Sequence, residues 1–274
     1  MADLSVSLSL LALVVLLSEA TRKTATKLFA RTEYCIYVME VISTFQLCVC
    51  THELKLLGEV GRIEPHIGLT LTYLVSVVHA LTFHGAFGNP SGALEHLYRR
   101  NLTGKCAVAR VACQIVGAVV ARAVVPYVWA LGLSDLHLRH KLFGFKCLSP
   151  INATLPRAAA VELACAFAVQ TAVTHMYKVD EKYRAHVIAA VITALVYAGG
   201  RVTGAVFNPV LAYSTQFACS GHTFAEYSLV YWLAPVLGVT SSLLLFDKVI
   251  PLLSGKSSYK KDLDFPFFET KKIM

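Results

Sequence analysis

Charge is scarce in this chain: Asp, Glu, Lys and Arg together make up 15% of its 274 residues, where a soluble domain carries about 25%. A chain this poor in charge and 56% hydrophobic is neither disordered nor collagen-like, and it holds more apolar surface than one soluble core of this size would bury. Composition therefore speaks against a cytosolic enzyme. The signatures of catalysis are missing as well. The ten His include no pair at His-Glu-x-x-His spacing, and no Cys or carboxylate cluster has metal-ligand spacing. There is no glycine-rich phosphate loop and no serine nucleophile elbow. Cys48 and Cys50 are one residue apart, not two, which weakens a thioredoxin-like redox reading. Nothing asks for a cofactor, a metal or an enzymatic activity, and the eight Cys fit no disulfide framework as a set.

What the sequence has instead is long apolar runs, with a mean hydropathy of +0.59. Crossing ~30 Å of hydrocarbon takes about 20 helical residues. Six runs meet that need: Tyr34–Leu57, Ile67–His84, Ala107–Leu131, Ala158–Lys178, Ala185–Gly200 and Tyr227–Ile250. Two shorter runs, Asn89–Tyr98 and Asn208–Ala218, each open on Asn-Pro and predict half-spans that enter the membrane and stop. Leu4–Leu17 is additional. Only Asp3 precedes it, while Arg22, Lys23, Lys27 and Arg31 follow, the reverse of a secretory signal peptide. It reads as a retained helix with its amino end in the lumen, or alternatively as an interfacial helix lying on the bilayer.

The net charge of +8 falls mostly in short segments between the apolar runs, so it concerns orientation in a bilayer and not nucleic acid. With Thr21–Glu33 cytosolic, the loop of Arg99, Arg100 and Lys105, the stretch Lys178–Arg184 and the tail from Pro251 are cytosolic too. Together with Arg110 and Lys248, that side holds 17 of the 25 Lys and Arg, in line with the positive-inside rule. The organisation expected is an amino-terminal helix and basic segment (1–33), a first repeat (34–131), a lumenal loop (132–157), a second repeat (158–250) and a cytosolic tail (251–274).

The two halves carry the same marks in the same order. Glu40 precedes Phe45 by five residues, as Glu162 precedes Phe167. Gly85-Ala86-Phe87-Gly88-Asn89-Pro90 then matches Gly204-Ala205-Val206-Phe207-Asn208-Pro209, 49 and 46 residues after the respective Glu. Three spans per half is an odd number, so the second copy sits upside down and the two Asn-Pro stretches dip in from opposite faces to meet at the midplane. Pro90 and Pro209 suit the first position of a helix, and Asn89 and Asn208 suit its cap. A buried Glu in a membrane helix is costly. The reading favoured for Glu40 and Glu162 is a bond to loop backbone, with proton relay the alternative. His79, ten residues before Asn89, fits a satisfied interhelical histidine, or alternatively a pH sensor facing the pore.

On these marks the chain resembles the aquaporins, and most of all their unorthodox, aquaporin-11-like group. The resemblance spans 34–250 and rests on Thr44-Phe45-Gln46-Leu47-Cys48, Cys50-Thr51-His52-Glu53-Leu54, Tyr197-Ala198-Gly199-Gly200, Thr203 to Pro209, Tyr231-Trp232-Leu233-Ala234-Pro235, and Cys219 as subfamily mark. It implies an all-α membrane fold: a right-handed bundle of six transmembrane helices and two half-helices in an inverted repeat, here with an extra amino-terminal helix. It also implies a homotetramer in lipid that passes water and small neutral solutes. Two departures stand out, Asn89-Pro90-Ser91 and Asn208-Pro209-Val210 in place of Asn-Pro-Ala, and Val210 puts the pore geometry in question.

By the family's spacing the selectivity filter falls on Leu69, Val196, Ala205 and Leu211, all apolar, with Leu211 where an Arg usually stands. Such a filter predicts slower water and wider tolerance of glycerol or hydrogen peroxide, with ions excluded by the two half-helix dipoles. A pore blocked by apolar packing, and hence a non-conducting membrane protein, is the alternative; a secondary transporter lacks a coupling residue near either Asn-Pro. The terminal Lys271-Lys272-Ile273-Met274 resembles a dilysine retrieval signal for the endoplasmic reticulum. Of two sequons, Asn101 is expected on the cytosolic side and Asn152 in the lumen, where it can take glycan. Cys147 and Cys219 lie in or beside lumenal loops, where an oxidising compartment permits a bond.

Overall fold

The computed structural model describes residues 2–30, 32–61, 63–176, 179–217 and 219–254. Lys271 and Lys272 lie outside them. Ten helices follow one another: α1 Ala2–Leu28, α2 Cys35–Glu59, α3 Pro65–Thr82, α4 Pro90–Tyr98, α5 Gly104–Ala130, α6 Asp135–Leu142, α7 Leu155–Met176, α8 Glu181–Thr203, α9 Pro209–Gln216 and α10 Phe224–Leu253. No strand forms among the described residues. Among the described residues six helices are long and apolar enough to cross a membrane: α1, α2, α5, α7, α8 and α10. The 18-residue α3, which carries His66 and His79, completes the bundle by packing on α2 and α8.

Local chemistry fixes most helix starts. Thr103 accepts from the Cys106 amide at 3.3 Å, Ser134 from His137 at 3.3 Å and Asp180 from Lys182 at 3.0 Å, each satisfying an amide that the first turn leaves without a partner. Thr223 and Glu226 form a reciprocal capping box at the start of α10. Two π-helical turns, Leu229–Leu233 and Leu245–Val249, lie within α10.

The packing follows the repeat. α2 lies on α5 as α7 lies on α10; α2 touches α3 as α7 touches α8; α9 packs on α5 and α4 on α10. The closest crossings use glycine. A Cβ on Gly117 of α5 would strike the carbonyl oxygen of Val41, and one on Gly238 of α10 the carbonyl oxygen of Leu163. Those carbonyls belong to the residues directly after Glu40 and Glu162, so small residues bring the helix backbones together at matching points of the two halves. The outer surface stays apolar, with Leu16, Val108, Tyr127 and Tyr197 each at least 67% exposed. Such a surface suits contact with lipid and would be a liability in water.

Three findings depart from the sequence reading. First, α1 runs past Leu17 to Leu28, through the basic segment, and packs antiparallel on α2. Ser7 donates to Glu53 at 2.5 Å, and the Arg22 Nη2 donates to Gln46 at 2.8 Å. Second, Arg22 is fully buried and Arg110 nearly so. Neither is a free loop charge of the kind the orientation count assumed, because each has polar partners inside the bundle. Third, the segment expected as loop between the repeats holds α6, whose Leu136 packs with Leu56, Val125 and Trp129. His137 of α6 shares Glu53 with Trp129, at 3.2 and 2.8 Å.

Candidate functional site

The two Asn-Pro pairs open the half-helices α4 and α9. At each, proline occupies the first helical turn, where no amide hydrogen is missed, and the preceding Asn folds its side chain back onto the helix. Asn89 Oδ1 accepts from the Ser91 amide at 3.0 Å, and Asn208 Oδ1 from Val210 and Leu211 at 3.1 and 3.3 Å. Each cap leaves its amide nitrogen to point elsewhere. That of Asn208 donates to the carbonyl of Gly88 at 2.8 Å, which joins the start of α9 to the loop before α4. Residues 120 apart in sequence thus meet where the two positive helix ends converge.

The buried glutamates hold the loops that deliver these caps. Glu40 on α2 accepts from the Phe87 and Gly88 amides at 3.0 and 3.1 Å; Glu162 on α7 accepts from Val206 and Phe207 at 3.0 and 2.5 Å. These four amides occupy the same two positions of the repeat, one and two residues before the Asn. The loops turn alike, with φ of 84° at Gly85 and 83° at Gly204, and of 59° at Gly88 and 37° at Phe207. The left-handed conformation costs glycine little but strains Phe207, whose amide is pinned by Glu162.

The two carboxylates differ in their remaining partners, which come from distant helices and leave no mark in the sequence pattern. Glu40 also receives Arg110, with Nε at 2.7 Å and Nη2 at 2.6 Å, and Gln114 at 3.1 Å. The same Arg110 donates to the Gly85 carbonyl at 2.7 Å and stacks over the Phe87 ring at 3.5 Å. Among the described residues Glu162 has no cation; the Thr203 hydroxyl donates to it at 2.6 Å, and Tyr231 in turn donates to the Thr203 carbonyl at 2.7 Å. All these donors suit a carboxylate that fixes a loop.

Val210 packs among the helices. It is fully buried against Cys48, Ala118 and Ala121, small side chains of α2 and α5 that make room for its two methyl groups. Ser91 is half-buried on the first turn of α4. Of the filter positions, Ala205 is buried at a φ of 46° in the loop before Asn208. Leu211, half-buried on α9, touches both the cluster of Val206, Tyr227 and Tyr231 and that of Val210 and Cys48. Leu69 and Val196 stand half-buried on α3 and α8, outside the clusters that hold Leu211. His79 corrects another expectation: it is buried and stacked on Phe83 at 5.2 Å, but among the described residues its Nε2 has no hydrogen-bond partner. Cys147 and Cys219 form a disulfide across 72 residues, tying the segment after α6 to the end of α9. Asn152 is exposed, with its backbone amide on the Val202 carbonyl at 2.9 Å.

The model of the family described as Major intrinsic protein matches residues 55–246. The chain is 39% identical to "Aquaporin-11" of Homo sapiens over 259 residues, 94% of this chain and 95% of that protein. It is 34% identical to "Putative aquaporin-12A" of Homo sapiens, covering 94% of this chain and 85% of that one. Among solved structures, the aquaglyceroporin from Plasmodium falciparum shares the fold with a TM-score of 0.63 at 16% identity, over 81% of this chain and 98% of its own. With its inverted repeat, paired half-helices and these relatives, the chain belongs to the major intrinsic protein family, among the unorthodox, aquaporin-11-like aquaporins.

Proposed function

We propose that this channel-family protein is a passive conduit for water and small neutral solutes, glycerol and hydrogen peroxide among them, in the membrane of the endoplasmic reticulum. The observation that carries the proposal is the junction itself: two capped helix N-termini meet through Asn208 and Gly88, each held by its own buried glutamate. Two positive dipole ends repel cations, while asparagine amides give a passing oxygen a donor that turns its lone pairs inward. No step in this mechanism needs a cofactor. The apolar set Leu69, Val196, Ala205 and Leu211 forms the filter, Pro90, Ser91 and Pro209 shape the central constriction with the two Asn while Val210 supports it from behind by packing on α2 and α5, and the channel works as a homotetramer in lipid. Asn152 carries glycan on the lumenal side, and Lys271 and Lys272 retrieve the protein from the cytosolic side.

A second reading, a non-conducting membrane protein, draws on one observation, the contact of Leu211 with two apolar clusters at once. Osmotic swelling of proteoliposomes made with the purified chain separates them. Water and glycerol flux above that of empty liposomes, without an ion gradient, supports the channel; flux equal to empty liposomes supports the second reading.

A further inference from the structure

A cavity of about 340 Å³ opens between α2, α5, α6 and α9, beside the Cys147–Cys219 disulfide. Its charged and ionisable lining is Lys55, His52, Arg122, His140 and Lys146, with Glu59 as the single carboxylate. Trp129 and Phe145 form an apolar wall. Glu59 is already engaged: it lies 3.7 Å from the Lys55 ammonium, which also donates to Gln216 at 2.9 Å and to the Thr215 carbonyl at 3.3 Å. That leaves Arg122.

Arg122 stands eight residues before the end of α5, about 12 Å into the helix. Its guanidinium lies 5.7 Å from the Tyr213 ring centre and 5.4 Å from that of Phe217. Among the described residues it has no carboxylate and no hydrogen-bond acceptor, and it is half-buried, so its donors are open to whatever enters the cavity. A cation on a spanning helix is normally paired, or else marks a ligand site. His140 across the cavity is held below the ordinary histidine range by burial first, then by Lys55 and His137, and Glu59 is the one carboxylate set against Lys55, Arg122 and Lys146.

We propose that this cavity binds a phosphate-class oxyanion, with Arg122 as its main donor and Lys146 as the second charge at its mouth. Planar guanidinium edges match phosphate oxygens in pairs, and the aromatic faces beneath Arg122 hold it in place. The phosphate comes either from solution or from the headgroup of an anionic lipid, since basic pockets between membrane helices take both. The site is separate from the Asn89–Asn208 junction.

The test uses the full chain in detergent and in nanodiscs, with thermal unfolding as readout. Inorganic phosphate, titrated against chloride at matched ionic strength, should raise the melting temperature of wild type saturably. Arg122→Gln and Lys146→Gln should each weaken the apparent affinity about tenfold or more, while Lys182→Gln, outside the cavity, should not. Lys146 is exposed, so its variant stays informative even if Arg122→Gln fails to fold. If phosphate is silent but nanodiscs containing phosphatidic acid stabilise wild type over phosphatidylcholine, and the two variants lose that gain, the source is lipid. No stabilisation by either probe, or stabilisation unchanged in the variants, would overturn the proposal.

Discussion

Replacing Arg110 with methionine keeps the apolar stem of the side chain and removes its charge, so it isolates the ion pair that holds the first loop. Glu40 is fully buried and would retain three donors, the amides of Phe87 and Gly88 and the side chain of Gln114. Those donors are neutral, and the carboxylate would lose the guanidinium at 2.6–2.7 Å. Breaking a buried pair from one side costs about 3–5 kcal/mol, because the remaining charge is left without its counterion. The Gly85 carbonyl also loses its donor, and the Phe87 ring its cation. Thermal unfolding of the purified chain, followed by size-exclusion fluorescence, should fall by roughly 2–4 °C for each kcal/mol. Adding Glu40→Gln should restore much of the loss, since no buried charge then remains and only one neutral bond is misdirected, at about 1–3 kcal/mol. By contrast Glu162→Gln, made alone, removes no ion pair and should cost only about that last amount. A melting temperature of Arg110→Met equal to wild type, or a double variant as unstable as the single, would refute the reasoning.

Val210→Ala should destabilise by about 1–3 kcal/mol, through the space left against Cys48, Ala118 and Ala121. The same variant should leave water flux unchanged in swelling assays, because the lost methyl groups face helices. Leu211→Arg should suppress glycerol and peroxide flux more than water flux; equal losses in a variant that still assembles would move the filter elsewhere. Changing Lys271 and Lys272 to Ser should bring the protein to the cell surface with complex glycan at Asn152, and surface labelling with glycosidase digestion reads both.

Much of this fold is legible in the sequence because its decisive signals are local or repeated. Asn-Pro fixes a cap and a first turn within two residues, and its recurrence at matched distances from Glu40 and Glu162 implies the inversion. The segments that escaped reading owe their structure to contacts across the chain. Arg22 and Arg110 look like loop charges until Gln46 and Glu40 are seen beside them. Helix α6 has a polar, basic sequence with no apolar stripe, and it is held by Leu136 in a core contributed by α2 and α5. Val210 looks obtrusive because a sequence does not say which way the third residue of the triplet points, and the small residues that accommodate it lie on other helices. The unpaired Nε2 of His79 could not be foreseen either, since it depends on how the folded bundle encloses the ring.

The central claim is that the starts of α4 and α9 form one shared, cation-repelling constriction, and Asn208→Asp in proteoliposomes tests it most directly. The substitution replaces the donor that reaches Gly88 with a negative charge placed where two positive helix ends converge. The account predicts reduced water flux by stopped-flow light scattering together with a new cation leak by fluorescent indicator. Unchanged water flux with no cation leak, in protein shown to be folded, would contradict it.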